Sequence, residues 1–277
     1  MTVTLYGTRG SLPAPGKHTT RFGGNTSSVR VDNDEGHVLL LDAGSGIAPA
    51  GRSLPEGTKR VDVLLTHLHL DHIQGLGFFQ PLFTPDVEVH IWGPPSTTKT
   101  LRKRLARYLS PPLFPVRIVE VPAKLFCHDA WDDAWSIGAF DIEAHLVTHP
   151  GPTVGFRITH GGKTLAYLPD HEPQLGCRTL PRKEWLSGFR VGEGADLLIH
   201  DAQYTGEEYR ERVGWGHCTP ELAVRFAETV DAKRLLFFHH DPERHDDALE
   251  QVCQEAAATH EGSIDMAPAA ELDVYTI

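Results

Sequence analysis

The run Thr66-His67-Leu68-His69-Leu70-Asp71-His72 follows directly on the apolar stretch Val61-Asp62-Val63-Leu64-Leu65, and no other segment constrains the fold as tightly. A short apolar run of this kind predicts a buried strand, which places the four ligand-type side chains in the loop leaving a sheet. His67 and His69 are two apart in an extended segment, so both imidazoles project to one side and can share one cation. Asp71 and His72 come as the chain turns away, and they offer a carboxylate and an imidazole to a second cation. A catalytic tetrahedral site takes three protein ligands plus an open position for water, so more ligands must come from elsewhere in the chain.

Three further apolar runs end in residues of the same type. Residues 142–147 lead to Thr148-His149-Pro150, residues 164–168 to Pro169-Asp170-His171, and residues 235–238 to His239-His240-Asp241. Strands that deliver groups to one sheet edge produce this pattern. His239 and His240 are adjacent, and local pattern alone does not choose between them.

A chain of 277 residues with 40% apolar content can build one large core. Because the ligand-type residues span positions 67 to 239, residues 1–277 are read as a single domain. Apolar runs at 3–6, 28–31, 38–41, 61–65 and 87–92 form a strand-rich first half. The later runs, with 154–158 and 196–199, form a second half, which predicts an α/β architecture of two facing sheets with helices outside. Helices are expected at 97–109, 220–230 and 246–258, and loops at 110–115 and 126–138. The start of the chain reads as a strand with no charged-then-apolar leader, so a cytoplasmic, non-membrane protein is expected. Cys127, Cys177, Cys218 and Cys253 lack metal or redox spacing and are read as free thiols.

The motif at 67–72 resembles that of the metallo-β-lactamase fold superfamily, and the likeness runs almost end to end. Tyr6-Gly7-Thr8-Arg9-Gly10-Ser11, Asn25-Thr26-Ser27-Ser28, Leu41-Asp42-Ala43-Gly44, Ile199-His200-Asp201-Ala202 and Gly216-His217-Cys218-Thr219 are most similar to its phosphodiesterase branch. That branch includes tRNase Z, PhnP-type and cyclic-nucleotide phosphodiesterases. The resemblance implies an αββα sandwich of two mixed β-sheets flanked by helices. It also implies two divalent metal ions, with Zn2+ favoured and Mn2+ or Fe2+ as alternatives. His67, His69 and His149 would hold the first ion, Asp71, His72 and His239 the second, and Asp170 would bridge them. His239 is chosen over His240 because residues 232–239 align without a gap on the tRNase Z segment ending in its last ligand.

Two differences from tRNase Z bear on function. Its tRNA-gripping arm lies between the ligands that match His149 and Asp170, which here are only 21 residues apart (170 − 149). Asp201 stands where tRNase Z has the glutamate of its His-Glu-Ala-Thr motif. The expected reaction is attack on phosphorus by a hydroxide shared between the ions, oriented by Asp71 or Asp170. His217, supported by Asp201, would protonate the leaving alkoxide. Thr219 is a good N-cap, Pro220 suits the first helical position, and Leu222, Phe226 and Val230 recur at four-residue steps, so a helix starts just after His217 and favours an anion there.

Asp42 is read as fixing the loops beneath the site rather than as a ligand. Lys99, Arg102, Lys103, Arg104 and Arg107 are read as a solvated helix face, with a phosphate-attracting rim as the alternative. Phe79, Phe83, Trp131, Trp135 and Trp215 are candidates for stacking on a base or ring, but are read chiefly as packing residues. A net charge of −11 disfavours a broad grip on nucleic acid. The expected substrate is therefore a small anionic phosphodiester, with tRNA disfavoured by the missing arm and a homodimer left open. Thioester or lactone hydrolysis on the same fold, and a non-catalytic metal-stabilised nucleotide-binding module, are the competing functions.

Overall fold

A computed structural model describes residues 1–176 and 182–277. The first sheet contains β1 (Thr2–Gly7), β2 (Ser28–Asp32), β3 (Val38–Leu41), β4 (Arg60–Leu64), β5 (Glu88–Gly93) and β6 (Lys124–Asp129). The second contains β7 (Asp133–Ile137), β8 (Phe140–Leu146), β9 (Val154–His160), β10 (Lys163–Leu168), β11 (Leu197–Asp201), β12 (Arg234–Phe238) and β13 (Asp265–Pro268). A last strand, β14 (Val274–Thr276), returns to pair with β1. The helices are α1 (Ile47–Arg52), α2 (Leu70–Ile73), α3 (Leu101–Leu105), α4 (Phe189–Gly192), α5 (Gly206–Glu211), α6 (Pro220–Thr229) and α7 (Asp246–Ala257).

Among the described residues the sheet orders are β14-β1-β2-β3-β4-β5-β6 and β13-β12-β11-β10-β9-β8-β7. Both sheets are mixed. In the first, β3 to β6 run parallel; in the second, β10 to β13 do, and the remaining neighbours are antiparallel.

Side-chain alternation explains how continuous apolar runs serve two layers at once. In β12, Leu236 and Phe238 point between the sheets, while Leu235 and Phe237 point to the outer layer beneath the helices. The inter-sheet layer joins Leu5, Val31, Leu39 and Leu64 of the first sheet to Phe140, Phe156, Tyr167 and Ile199 of the second. Outside, Ile47, Leu101 and Leu105 cover the first sheet, and Leu222, Phe226 and Leu249 cover the second. The result is the αββα sandwich. Burying each such side chain contributes about 1.5–3 kcal/mol, so the layers hold the strand ends rigidly.

Two local expectations are corrected. Residues 126–138, read as a loop, form most of β6 and β7. In β7 only Ile137 is fully buried, and Trp135 stacks across the sheets on Trp92, so the segment carries no apolar period to read. The helix expected at 97–109 is only Leu101–Leu105, capped by Thr100. Leu101, Leu105 and Leu109 are all buried as their spacing predicts, but the chain continues from Ala106 in turns.

Candidate metal centre

The parallel strands of the second sheet end on one edge, and β8, reversed twice through β9 relative to β10, ends there too. His149, Asp170, Asp201 and His239 therefore arrive together, opposite the loop after β4. In that loop His69 is extended, with φ −65° and ψ 155°, and begins the single turn of α2, which swings Asp71 and His72 inward. His239 turns sharply off β12 with φ 58°. Gly10 makes room for it, since a Cβ there would lie 2.3 Å from His239 Nδ1.

Among the described residues, four overlapping clusters of ligand-type residues result, two of them sharing His217 with His149 and Asp170 or with Asp201 and His239, and the other two match the expected ligand sets. His67, His69 and His149 form one, and Asp71, His72, Asp170 and His239 the other, with candidate ligand atoms within 4.8 Å of one another in each. Asp170 lies between them. Its Oδ1 is 2.9 Å from His72 Nε2 and 3.2 Å from His239 Nε2, whereas its Oδ2 is 3.7 Å from both His67 Nε2 and His149 Nε2. Asp71 Oδ2 is 3.2 Å from His239 Nε2 and also accepts the Ser11 backbone N–H at 2.8 Å.

Surrounding hydrogen bonds set the tautomers. Thr66 Oγ1 donates to Asp42 and accepts from His67 Nδ1 at 3.1 Å, and His72 Nδ1 donates to Asp42 Oδ2 at 2.8 Å. His149 Nδ1 donates to the Gly216 carbonyl at 2.8 Å. Each of these rings is left with an Nε2 lone pair facing the centre, the orientation a metal needs. His67 Nε2 is buried without a hydrogen-bond partner. Such an orphaned acceptor among imidazoles and carboxylates fits a cation.

Electrostatics agree with that fit. Burial and the neighbouring His72 hold His67 well below the usual histidine range, and burial lowers His149 to about 4, so both are neutral ligands at pH 7. Asp170 is fully buried, yet the facing imidazoles, His239 and His72 first, hold it well below the usual carboxylate range. Against burial, Asp170, Asp71 and Asp42 hold His72 well above its own, so the anionic pocket calls for positive charge where a metal would sit. Asp71 is held below its range in the same way, chiefly by His72 and His239 against burial.

Asp42 accepts from Thr66, His72 and Tyr167, so it holds a ligand from behind and is itself a member of neither ligand set. His240 points away and donates to the Ala269 carbonyl at 2.8 Å. His217 and Asp201 are brought together: His217 Nδ1 donates to Asp201 Oδ2 at 2.7 Å, and lies 3.9 Å from Asp170 Oδ2. Thr219 caps α6 as predicted, accepting from Leu222 N. Burial opposes a charge on His217, but Asp201 prevails and raises its pKa.

Sequence reasoning passed over Ser11, Tyr167 and Glu172. The first two act through one backbone N–H and one distant hydroxyl, neither of which leaves a spacing pattern. For Glu172 the only trace was the pair Gly214 and Gly216, both with φ above +80°. Of the aromatic candidates, Phe79 is fully buried, while Trp131 and Trp215 are exposed. Cys127, Cys218 and Cys253 are free thiols, and Cys177 lies outside the described residues. Among the described residues no helix is long and apolar enough to cross a membrane.

An αββα sandwich with paired His and Asp clusters at one sheet edge defines a metallo-β-lactamase fold. The chain belongs to the β-lactamase superfamily, whose Beta-lactamase superfamily domain matches residues 37–240. Ribonuclease Z of Natronomonas pharaonis is 30% identical over 272 residues, covering 86% of each protein. Among solved structures, the metallo-β-lactamase fold protein YhfI from Bacillus subtilis superposes with a TM-score of 0.71 at 22% identity, covering 99% of both chains. A diphosphatase from the PhnP family superposes at 0.67 and 21% identity, covering 100% of this chain and 97% of its own. The chain is a metal-dependent hydrolase.

Proposed function

We propose that the chain is a single-domain dinuclear phosphodiesterase acting on a small or cyclic phosphodiester. The observation that carries this reading is Asp170, whose two oxygens face different ligand sets. His67, His69 and His149 would hold one divalent ion, Asp71, His72 and His239 the other, and Asp170 both. Zinc suits so imidazole-rich a set, and manganese or iron are distinguished from it by metal analysis. When bound, two such ions supply Lewis acidity to phosphoryl oxygens and acidify water toward neutral pH.

The chain's own groups do the rest. His217 keeps Nδ1 on Asp201, which leaves Nε2 to hold the proton for the departing alkoxide. Asp201 is itself fixed by the backbone N–H groups of His171, Gln203 and Cys218, so the imidazole cannot swing away with it. Asp71 and Asp170 stay ionised and orient water. The N-terminus of α6, beginning after His217, favours an anion beside it. A groove at the open side is lined by His67, His69, Ser96, Arg104, Arg107 and Tyr108, which supports an anionic substrate and the rim reading for Arg104 and Arg107 alone of the basic stretch.

Small substrates are favoured over tRNA because only the hairpin of β9 and β10 separates His149 from Asp170. The free thiols fit a reducing, cytoplasmic setting, which cell fractionation tests. The functional test is a panel on the metal-loaded protein: bis(p-nitrophenyl) phosphate, cyclic nucleotides, precursor tRNA, thioesters and lactones. Turnover is expected on the first two. Inertness toward every phosphodiester overturns the reading, and faster cleavage of precursor tRNA overturns its small-substrate part.

A further inference from the structure

Glu172 is a fully buried carboxylate two residues past Asp170, and no step described above uses it. It accepts the Tyr209 hydroxyl at 2.6 Å, the Gly214 N–H at 3.1 Å and the Gly216 N–H at 3.0 Å. An ionised carboxylate in a buried site is costly unless such donors surround it, and here backbone groups supply most of them. Gly214 and Gly216 have φ of 85° and 88°, so the turn between them wraps its N–H groups around the carboxylate in a conformation that glycine adopts without strain. His217 is the next residue.

The same residue closes a ring of contacts. The Glu172 N–H donates to the Thr148 carbonyl at 3.1 Å, Thr148 precedes His149, and His149 Nδ1 donates to the Gly216 carbonyl at 2.8 Å. Three loops, those bearing His149, Asp170 and His217, are thereby fastened to one another through one buried residue, its backbone N–H on Thr148 and its carboxylate on the Gly214–Gly216 turn. The Gly216 peptide is held on both sides, by Glu172 at its N–H and by His149 at its carbonyl. No space is left for it to drift, since a Cβ at Gly216 would meet His149 Nδ1 at 2.3 Å.

We propose that Glu172 is a positioning residue for His217: it fixes the Gly214–Gly216 turn and so holds the acid imidazole in register with the Asp170 centre. This rests on the general-acid reading of His217. Positioning of an acid matters only when the leaving group needs a proton, which separates this role from a merely structural one. Nitrophenolate leaves unaided, whereas the ribose alkoxide of a 2′,3′-cyclic nucleotide does not.

The experiment compares E172Q with the unsubstituted protein, both metal-loaded, on bis(p-nitrophenyl) phosphate and on 2′,3′-cyclic AMP, with metal content and thermal unfolding measured alongside. Gln keeps the shape but removes the negative charge and one of the two acceptor oxygens, which weakens the grip on the Gly214 and Gly216 N–H groups and turns the Tyr209 contact around. The expected result is a loss on the order of tenfold or more in kcat for the cyclic nucleotide, against a change within about threefold for the nitrophenyl ester, at unchanged metal content. Equal losses on both esters, or a loss that tracks missing metal, overturn the proposal. Should E172Q fail to fold, Y209F removes one of the donors and carries the same comparison, with the same leaving-group dependence expected at smaller size and its absence equally decisive. H217A, run in parallel, separates the two levels. A leaving-group effect in H217A but not in the Glu172 or Tyr209 variants refutes the positioning role alone, and its absence from H217A refutes the general-acid reading beneath it.

Discussion

The two ligand sets meet at Asp170 yet are built to different rules. Asp71, His72, Asp170 and His239 are all buried and include two carboxylates, whereas His67, His69 and His149 are imidazoles only, with His69 exposed. The first set is closed and strongly anionic; the second is open and, apart from Asp170, neutral. An ion in the closed set meets rigid negative charge, while one in the open set keeps a face toward the groove lined by Arg104 and Arg107. On the dinuclear reading proposed above, the contrast assigns retention to one set and substrate contact to the other.

The largest expected effect is that of D170A, which removes the group common to both sets. It should lower turnover by more than about a hundredfold and strip both ions, as read by elemental analysis. Retention of both ions with ordinary turnover would erase the link between the sets. D42N comes next. Asp42 directs His72 and, through Thr66, His67, but its direct bond is to the closed set, so metal affinity there should fall about 10- to 100-fold with less effect on the open set. Equal weakening of both sets in a competitive chelator titration would contradict the asymmetry.

Acid provides a third, smaller probe, through His240, the neighbour of His239. His240 faces away from both ligand sets, and burial with the nearby Arg9 lowers it to about 3. In the unfolded chain the same histidine titrates near 6.5, so below that pH the unfolded state takes up the proton first. Its contribution to stability is thus complete above about pH 6.5 and is lost as pH falls toward 3, at up to about 1.4 kcal/mol per pH unit. H240Q should flatten that part of the denaturant profile, and an unchanged acid slope would show that His240 is not held neutral. The smallest effect belongs to R107A at the open side. It should raise KM for anionic esters severalfold with little change in kcat, and the difference should shrink in high salt.

Much of this centre was legible in the sequence for a physical reason. Ligands that follow strands inherit the strand's direction, so an apolar run followed by His or Asp marks a side chain delivered to the sheet edge. That logic located His67, His69, Asp71, His72, His149, Asp170 and His239 where the two sets form. The choice of His239 over His240 needed the resemblance, because only the backbone turn after β12 sends the first inward and the second toward Ala269. Strands without a fully buried face, β6 and β7, escaped because sheet pairing rather than apolar period holds them. Glu172 escaped for a related reason: its partners are one hydroxyl and two backbone N–H groups far along the chain, and a carboxylate beside a ligand reads as ordinary charge.

The most direct test is a crystal structure of the metal-loaded protein with anomalous scattering at the metal edge. Two ions are predicted, one among His67, His69 and His149 and one among Asp71, His72 and His239, with Asp170 giving one oxygen to each. A single ion at full occupancy, or Asp170 bound to only one of two, would contradict it.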